Sequence, residues 1–168
     1  MPEQETLERA HEDAREGNSP STQAGEFVRE EMHHVREGKH GARSPQQAIA
    51  IGLSKARRAG VKLRAPKRGR ASKQVRARAS RDLRRGRTAR KRPSRTRSRA
   101  VTRALRREGR SAASRGALGR QARRSARRRG AANRRRAAVK AVRTKGTRGL
   151  RVAARKAARS RSQHRRAA

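Results

Sequence analysis

Charge is distributed very unevenly along this chain of 168 residues. Residues 1–40 carry ten acidic and five basic side chains, a net charge of −5, whereas residues 41–168 carry 47 basic and two acidic ones, a net charge of +45. Like charges at this density repel one another and leave little apolar surface to bury, so the basic region cannot build a large core by itself. A self-contained enzyme of ordinary size is therefore not expected, and no catalytic residues are assigned.

Three segments follow from this distribution. An acidic leader at 1–20 has one large apolar side chain, Leu7. We expect it to be disordered or a fraying helix, because that side chain has nothing to pack against. A helix–loop–helix unit is predicted at 21–63 and a basic low-complexity tail at 64–168. The predicted fold class is accordingly mostly α and disordered, with a long Arg/Ala-rich tail that is disordered or a discontinuous helix.

The first helix of the unit is predicted from its apolar spacing. Val28, Met32 and Val35 recur at i, i+4 and i+7 within residues 26–37, which is the period of one helix face. The Gly-Lys-His-Gly sequence at 38–41 predicts the end of this helix.

The second helix has several agreeing start and stop signals. Ser44 is a good N-cap, Pro45 suits the first helical position, Gln47 stands at the capping-box position and Gly60 predicts the end. Three small residues recur at four-residue spacing on its apolar arc: Ala48, Gly52 and Ala56. Such spacing permits the close approach of another helix.

The unit is small for independent folding. It offers few large apolar side chains, and units below about 40 residues rarely fold without a disulfide, a metal or a partner. Ile51 also lies off the main apolar arc. A homodimer through the helical unit, or ordering on a ligand, is therefore expected.

The tail is built largely from arginine, alanine, serine and glycine. Arginine outnumbers lysine 43 to 9 over the whole chain. Alanine and arginine favour helix, whereas like charges four residues apart oppose it. Breaks are predicted at Gly86, Pro93, Gly109, Gly116, Gly119, Gly130 and Gly146. The tail should gain helix when its charge is neutralised.

Arginine at this density predicts binding to a polymeric anion. The guanidinium group is charged at cellular pH and pairs with phosphate through two parallel hydrogen bonds. Contacts of this kind position a protein on nucleic acid without reading its sequence. The candidate nucleic-acid-binding residues are Arg57, Arg58, Arg84, Arg85, Arg106, Arg107, Arg123, Arg124, Arg127, Arg128, Arg129, Arg134, Arg135 and Arg136.

The near-absence of aromatic residues favours duplex DNA as the target. Single-stranded nucleic acids are commonly bound by stacking bases on aromatic rings, and Phe27 is the one aromatic residue. The predicted function is non-sequence-specific binding and compaction of duplex DNA by a nucleoid-associated, histone-like protein in the cytoplasm. An RNA- or ribosome-associated basic protein is the alternative.

The helical unit has two other interpretations. In a helix-turn-helix, the base-facing residues would be Gln46, Gln47, Lys55, Arg57 and Arg58. The first helix is net acidic, which favours a packing or oligomerisation unit instead. The pairs Glu30/His34 and His33/Glu37, with His40 nearby, suggest a metal site, but ordinary helix pairing explains both pairs. No metal site and no cofactor are predicted.

A membrane role is not expected. The longest apolar run, residues 48–53, is far shorter than the ~20 residues that span a bilayer. The acidic start of the chain is unlike a secretory signal. A membrane-active polycation is disfavoured by weak apolar faces and the absence of tryptophan.

Residues 26–61 resemble a small bacterial domain of unknown function. The most recognisable part is Gln-Ala-Ile-Ala-Ile-Gly-Leu-Ser-x-Ala-Arg at 47–57. The resemblance implies a short, basic, mostly proteobacterial protein of a kind often described as DNA-binding, and it assigns no catalytic or ligand residues. The tail is similar in composition to bacterial linker-histone-like proteins, which favour lysine where this chain has arginine.

Overall fold

The computed structural model describes residues 2–88 and 94–166, which are helical with connecting turns and extended segments and contain no strand. The helices are α1 (Gln4–Arg15), α2 (Pro20–Glu37), α3 (Pro45–Arg58), α4 (Lys73–Arg87), α5 (Arg95–Arg106), a 3₁₀ helix (Ser111–Ala113) and α6 (Arg115–Arg166). The prediction of a mostly α chain is confirmed. Two compact units are present, Met1–Gln121 and Ala122–Ala168. The predicted break at Pro93 lies outside the described residues.

The predicted end of α2 and the predicted start of α3 are confirmed. Gly38 ends α2 in the left-handed conformation, with φ 78° and ψ 14°. The Ser44 hydroxyl accepts a hydrogen bond from the Gln47 backbone N–H at 3.2 Å and so caps α3. α2 begins earlier than its apolar stripe, because Ser19 caps it and Pro20 occupies its first turn.

The small residues of α3 lie against α2. A Cβ atom added at Gly52 would lie 2.8 Å from the Val28 Cα and 2.9 Å from the Phe27 carbonyl oxygen. Ala48 and Ala56, one turn to either side, are fully buried. The close approach predicted from the spacing is therefore made within the chain, between the backbones of α2 and α3.

The leader packs, contrary to our expectation from the sequence. Leu7 and Ala10 of α1 join Phe27 and Ala56 in one apolar cluster. The Arg9 Nε–H donates to Glu26 Oε2 at 2.8 Å and ties α1 to α2. Leu7 has a packing partner because the chain turns back after α1 and lays this helix along α2.

The first unit also extends far into the predicted tail. Met32 and Val35 of α2 form a second apolar cluster with Ala112 and Ala113 of the 3₁₀ helix. α4 packs on α3, so closely at Gly86 that an added Cβ would lie 2.2 Å from the Arg57 carbonyl oxygen. Part of the apolar surface of α2 and α3 is thus covered by later segments of the same chain, whereas Ile51 is half-buried and belongs to neither apolar cluster.

The second unit consists of the part of α6 that follows residue 121. The helix is interrupted at Gly130 (φ 71°, ψ 163°) and Gly146 (φ 61°, ψ 175°), which confirms two of the predicted breaks. Gly116 and Gly119 lie within the helix instead of breaking it. The tail is a discontinuous helix over its described residues, and no described helix is apolar enough over sufficient length to cross a membrane.

Gly52→Ala should destabilise the first unit by about 1–3 kcal/mol, because the added methyl group must push apart two backbones. Gly25→Ala is the matched control: Gly25 is also in a helix, nothing lies within 4 Å of its added Cβ, and alanine should stabilise by about 0.5–1 kcal/mol. Urea unfolding followed by circular dichroism measures both. Equal effects of the two substitutions would contradict the proposed α2–α3 contact.

Candidate nucleic-acid interface

The predicted arginines lie on the surface, with one exception. Thirteen of the fourteen are exposed, on α3, α4, α5 and α6 or immediately after α5. The exception is Arg57, which is only 7% exposed. The exposed set therefore spans both units.

Acidic side chains do not neutralise these arginines. After residue 41 the chain has two acidic residues, Asp82 and Glu108. Asp82 pairs with Arg58, with Arg58 Nε 3.3 Å from Asp82 Oδ1. The other twelve exposed arginines make no ion pair with a described residue. Their charge is available to an external anion.

The helical backbone groups these charges in clusters. Arg123 and Arg124 are each followed four residues later by another arginine, at Arg127 and Arg128, so that each pair shares one helix face. All four side chains are exposed. Neighbouring guanidinium groups that repel one another are stabilised when phosphates lie between them.

Arg57 is removed from the candidate interface by its position. Its Nε–H donates to the Leu63 carbonyl oxygen at 3.1 Å, and its Nη1 donates to the Leu53 carbonyl oxygen at 3.4 Å. Burial lowers the pKa of this guanidinium. Arg57 joins the end of α3 to the segment that follows it, which is a structural role.

The residues that a helix-turn-helix would use to read bases are engaged with the chain itself. The Gln46 side-chain amide donates to Gln121 at 2.6 Å, and the Gln47 side-chain oxygen accepts the Arg43 backbone N–H at 2.8 Å. Lys55 forms an ion cluster with Glu30 and Glu31 of α2. These contacts favour the interpretation of the unit as a packing element.

That ion cluster was missed from the sequence. The Glu30 and Glu31 carboxylates are almost completely buried, with side-chain exposures of 1% and 0%. The Lys55 Nζ lies 2.9 Å from Glu30 Oε1 and also contacts Glu31 Oε1. Burial alone would lower the pKa of Lys55, but its hydrogen bonds to Glu31 and Glu30 outweigh burial and raise it. The sequence did carry a signal, because Glu31 falls on the same helical stripe as Val28 and Val35.

Glu3, near the start of the chain, contacts this ion cluster and two neighbouring basic side chains. It accepts hydrogen bonds from His34 Nε2 at 2.8 Å and from Lys39 Nζ at 3.0 Å. The His34 and Lys39 hydrogen bonds lower the pKa of Glu3 from 4.5 to about 2. Its own backbone N–H donates to Glu30 Oε2 at 3.2 Å. The acidic leader is thus bound to α2 by polar contacts as well as by Leu7.

No protein-family model, curated protein or solved structure matches the chain. The resemblance of residues 26–61 to a small bacterial domain therefore stays a prediction. Function has to be inferred from the exposed charge and the buried polar groups.

Arg57→Gln should lower the free energy of unfolding by about 1–3 kcal/mol, because two partly buried carbonyl groups lose a charged donor. Arg58→Gln should cost less than about 1 kcal/mol, because Arg58 is half exposed and its pair with Asp82 is screened by solvent. Urea unfolding of the two variants makes the comparison. A stability of R57Q equal to that of R58Q would contradict the structural role of Arg57.

Proposed function

We propose that this protein binds duplex DNA through its phosphates, without base-sequence preference, and compacts it as a nucleoid-associated, histone-like protein. The observation that carries the proposal is the set of twelve exposed arginines on α4, α5 and α6 and just after α5 that make no ion pair with a described residue. A polycation without internal counter-charges binds mobile counterions, and DNA replaces them.

The binding energy comes from counterion release and charge-assisted hydrogen bonds. Duplex DNA carries about one charge per 1.7 Å of its axis, and each phosphate that is neutralised releases bound cations. The arginine clusters at 123–124 and 127–129 precede the break at Gly130, and the cluster at 134–136 follows it, so guanidinium groups are supplied by two successive helical segments. Arginine also enters narrow minor grooves, where the negative potential is greatest. Neither contact requires a defined base sequence.

Breaks in α6 suit a target that is longer than any straight helix. Gly130 and Gly146 adopt positive φ angles, which glycine accepts at little cost. Short helical segments joined at such points can each align with a different run of phosphates. Screening of phosphate repulsion by these segments lets DNA strands approach one another, which is the physical basis of compaction.

The first unit holds the arginines of α4 by packing this helix on α3, and it holds the end of α5 by a hydrogen bond from Gly41 to the Leu105 carbonyl oxygen. Its own candidate base-reading residues are occupied by internal contacts, so the proposed binding does not depend on them. A homodimer through this unit would add bridging between DNA segments. Phe27 is the one residue among phenylalanine, tyrosine and tryptophan, and it is fully buried, so no such ring is exposed for stacking the bases of single-stranded RNA.

The proposal is tested by removing charge from α6 in the full-length protein. Eight arginines are changed to glutamine together: Arg123, Arg124, Arg127, Arg128, Arg129, Arg134, Arg135 and Arg136. If all eight contact phosphates, the slope of log affinity against log salt should become shallower by about 7, since each contact contributes about 0.9. Gel-shift titrations at several salt concentrations measure this slope on duplex DNA and on structured RNA.

The matched control changes the same eight arginines to lysine. Lysine keeps the charge, so the salt slope on DNA should stay near that of the wild type, with a modest loss of affinity from the missing bidentate contacts. An unchanged slope in the glutamine variant would overturn the assignment to α6. Clear preference for structured RNA over duplex DNA would favour the alternative of an RNA-associated protein.

Helix in α6 should depend on charge neutralisation. Repulsion between arginines four residues apart weakens the helix at low salt, and bound phosphates relieve it. We expect circular dichroism of the full-length protein to show more helix on addition of duplex DNA, and the eight-glutamine variant to show a smaller increase. Helix content that is independent of both salt and DNA would contradict this expectation.

A further inference from the structure

Glu31, His34 and His40 bring three ligand atoms together at the end of α2. One carboxylate oxygen and one nitrogen from each imidazole all lie within 4.8 Å of one another. His40 Nε2 is 3.5 Å from Glu31 Oε2, and His34 Nδ1 is 3.7 Å from Glu31 Oε1. The two rings meet edge to face, with centroids 5.9 Å apart. These separations are too long for good hydrogen bonds but short enough to share a cation.

The outward nitrogens of both histidines face groups that can only accept a hydrogen bond. His34 Nε2 lies 2.8 Å from the Glu3 carboxylate, and His40 Nδ1 lies 3.0 Å from the Gly41 carbonyl oxygen. The ring protons therefore belong on these outer nitrogens. In the neutral rings that bind a metal, the lone pairs are then left on His34 Nδ1 and His40 Nε2, which face Glu31. Histidines that bind metals are commonly held by a second hydrogen bond of this kind.

Glu31 itself lacks the donors that a buried carboxylate needs. The side chain is fully buried, and apart from the Lys55 ammonium at Oε1 neither oxygen has a hydrogen-bond donor among the described residues. Lys55 must also neutralise Glu30, so two buried carboxylates share one ammonium group. Burial of an uncompensated negative charge is costly. A cation beside Glu31 Oε2 would remove this cost.

We propose that Glu31, His34 and His40 bind a divalent transition-metal ion, with Zn²⁺ as the preferred class. Two imidazoles and one carboxylate suit zinc better than magnesium or calcium, which prefer oxygen ligands alone. Tetrahedral zinc with bonds of 2.0–2.1 Å needs ligand atoms about 3.4 Å apart. The three ligand atoms lie within 4.8 Å of one another, so the side chains must approach by up to about 1.4 Å to reach this separation. Solvent supplies the fourth ligand.

The proposed site would stabilise the contact between the α2–α3 loop and residues 105–109. His40 belongs to the loop between α2 and α3. The next residues of that loop, Gly41 and Ala42, donate backbone hydrogen bonds to the Leu105 and Gly109 carbonyl oxygens at 2.9 and 3.0 Å. A metal ion joining α2 to this loop therefore fixes the segment that leads from α5 to the 3₁₀ helix. This role is independent of DNA binding.

The test is calorimetric titration of the untagged full-length protein with Zn²⁺ in the absence of nucleic acid. Wild type should bind one equivalent. His34→Gln and His40→Gln should each weaken binding by more than the 10–100-fold that loss of an outer hydrogen-bond partner costs, and Glu3→Gln should fall within that range. His33→Gln is the matched control, because His33 is exposed on the same helix, and its Zn²⁺ affinity should equal that of wild type.

Nuclear magnetic resonance of the imidazole nitrogens distinguishes the loss of a metal ligand from the unfolding of a variant. Addition of Zn²⁺ to wild type should shift His34 Nδ1 and His40 Nε2 and leave His33 unchanged, and circular dichroism of each variant shows whether its helices persist. The proposal is overturned if wild type binds no stoichiometric Zn²⁺. It is equally overturned if the shifts fall on His33, or if folded H34Q and H40Q keep wild-type affinity.

Discussion

The close contact between α2 and α3 is the interaction on which the first unit depends. Gly52 allows the two backbones to touch at Val28 and Phe27, and Ala48 and Ala56 extend the contact by a turn in each direction. This approach brings Lys55 of α3 onto the buried carboxylates of α2. α1, α4 and the 3₁₀ helix then pack around a pair of helices that could not cover their apolar faces alone.

This packing also pairs acidic side chains within the first unit and leaves most arginines without acidic partners among the described residues. Acidic residues of the first 40 positions are used inside the first unit, where Glu26 pairs with Arg9 and Glu30 pairs with Lys55. Asp82 is similarly engaged by Arg58. The arginines of α4 to α6 are left without acidic partners among the described residues. Folding of the first unit therefore leaves the excess positive charge on the outside of the molecule, which favours binding to a polymeric anion.

The proposed metal site and the proposed DNA-binding surface meet at the loop between α2 and α3. That loop supplies His40 to the metal site and donates hydrogen bonds to the carbonyl oxygens of Leu105 and Gly109, in the segment 105–109 that includes the end of α5. The exposed Arg106 and Arg107 belong to this same segment. A bound metal would hold those arginines to the folded unit without changing their charge.

Local signals in the sequence determined the helix boundaries and the distribution of charge. Ser44, Pro45 and Gly38 act within one helical turn, so their effects on α2 and α3 could be predicted without the tertiary fold. The small-residue spacing in α3 likewise predicted a close helix contact, although not its partner. The exposed arginines of the tail were predictable because a side chain with no counter-charge and no apolar neighbours stays in water.

Tertiary structure alone decided which segments meet. Leu7 packs with Phe27, and Ala112 packs on α2, although the residues of each pair are far apart in sequence. From composition, neither the leader nor the tail is expected to pack. The same reason explains why the charged residues Arg57 and Glu31 are buried. The segment after α3 brings the Leu63 carbonyl oxygen to Arg57, and α3 brings the Lys55 ammonium group to Glu31, so the fold supplies the partners that allow both side chains to be buried.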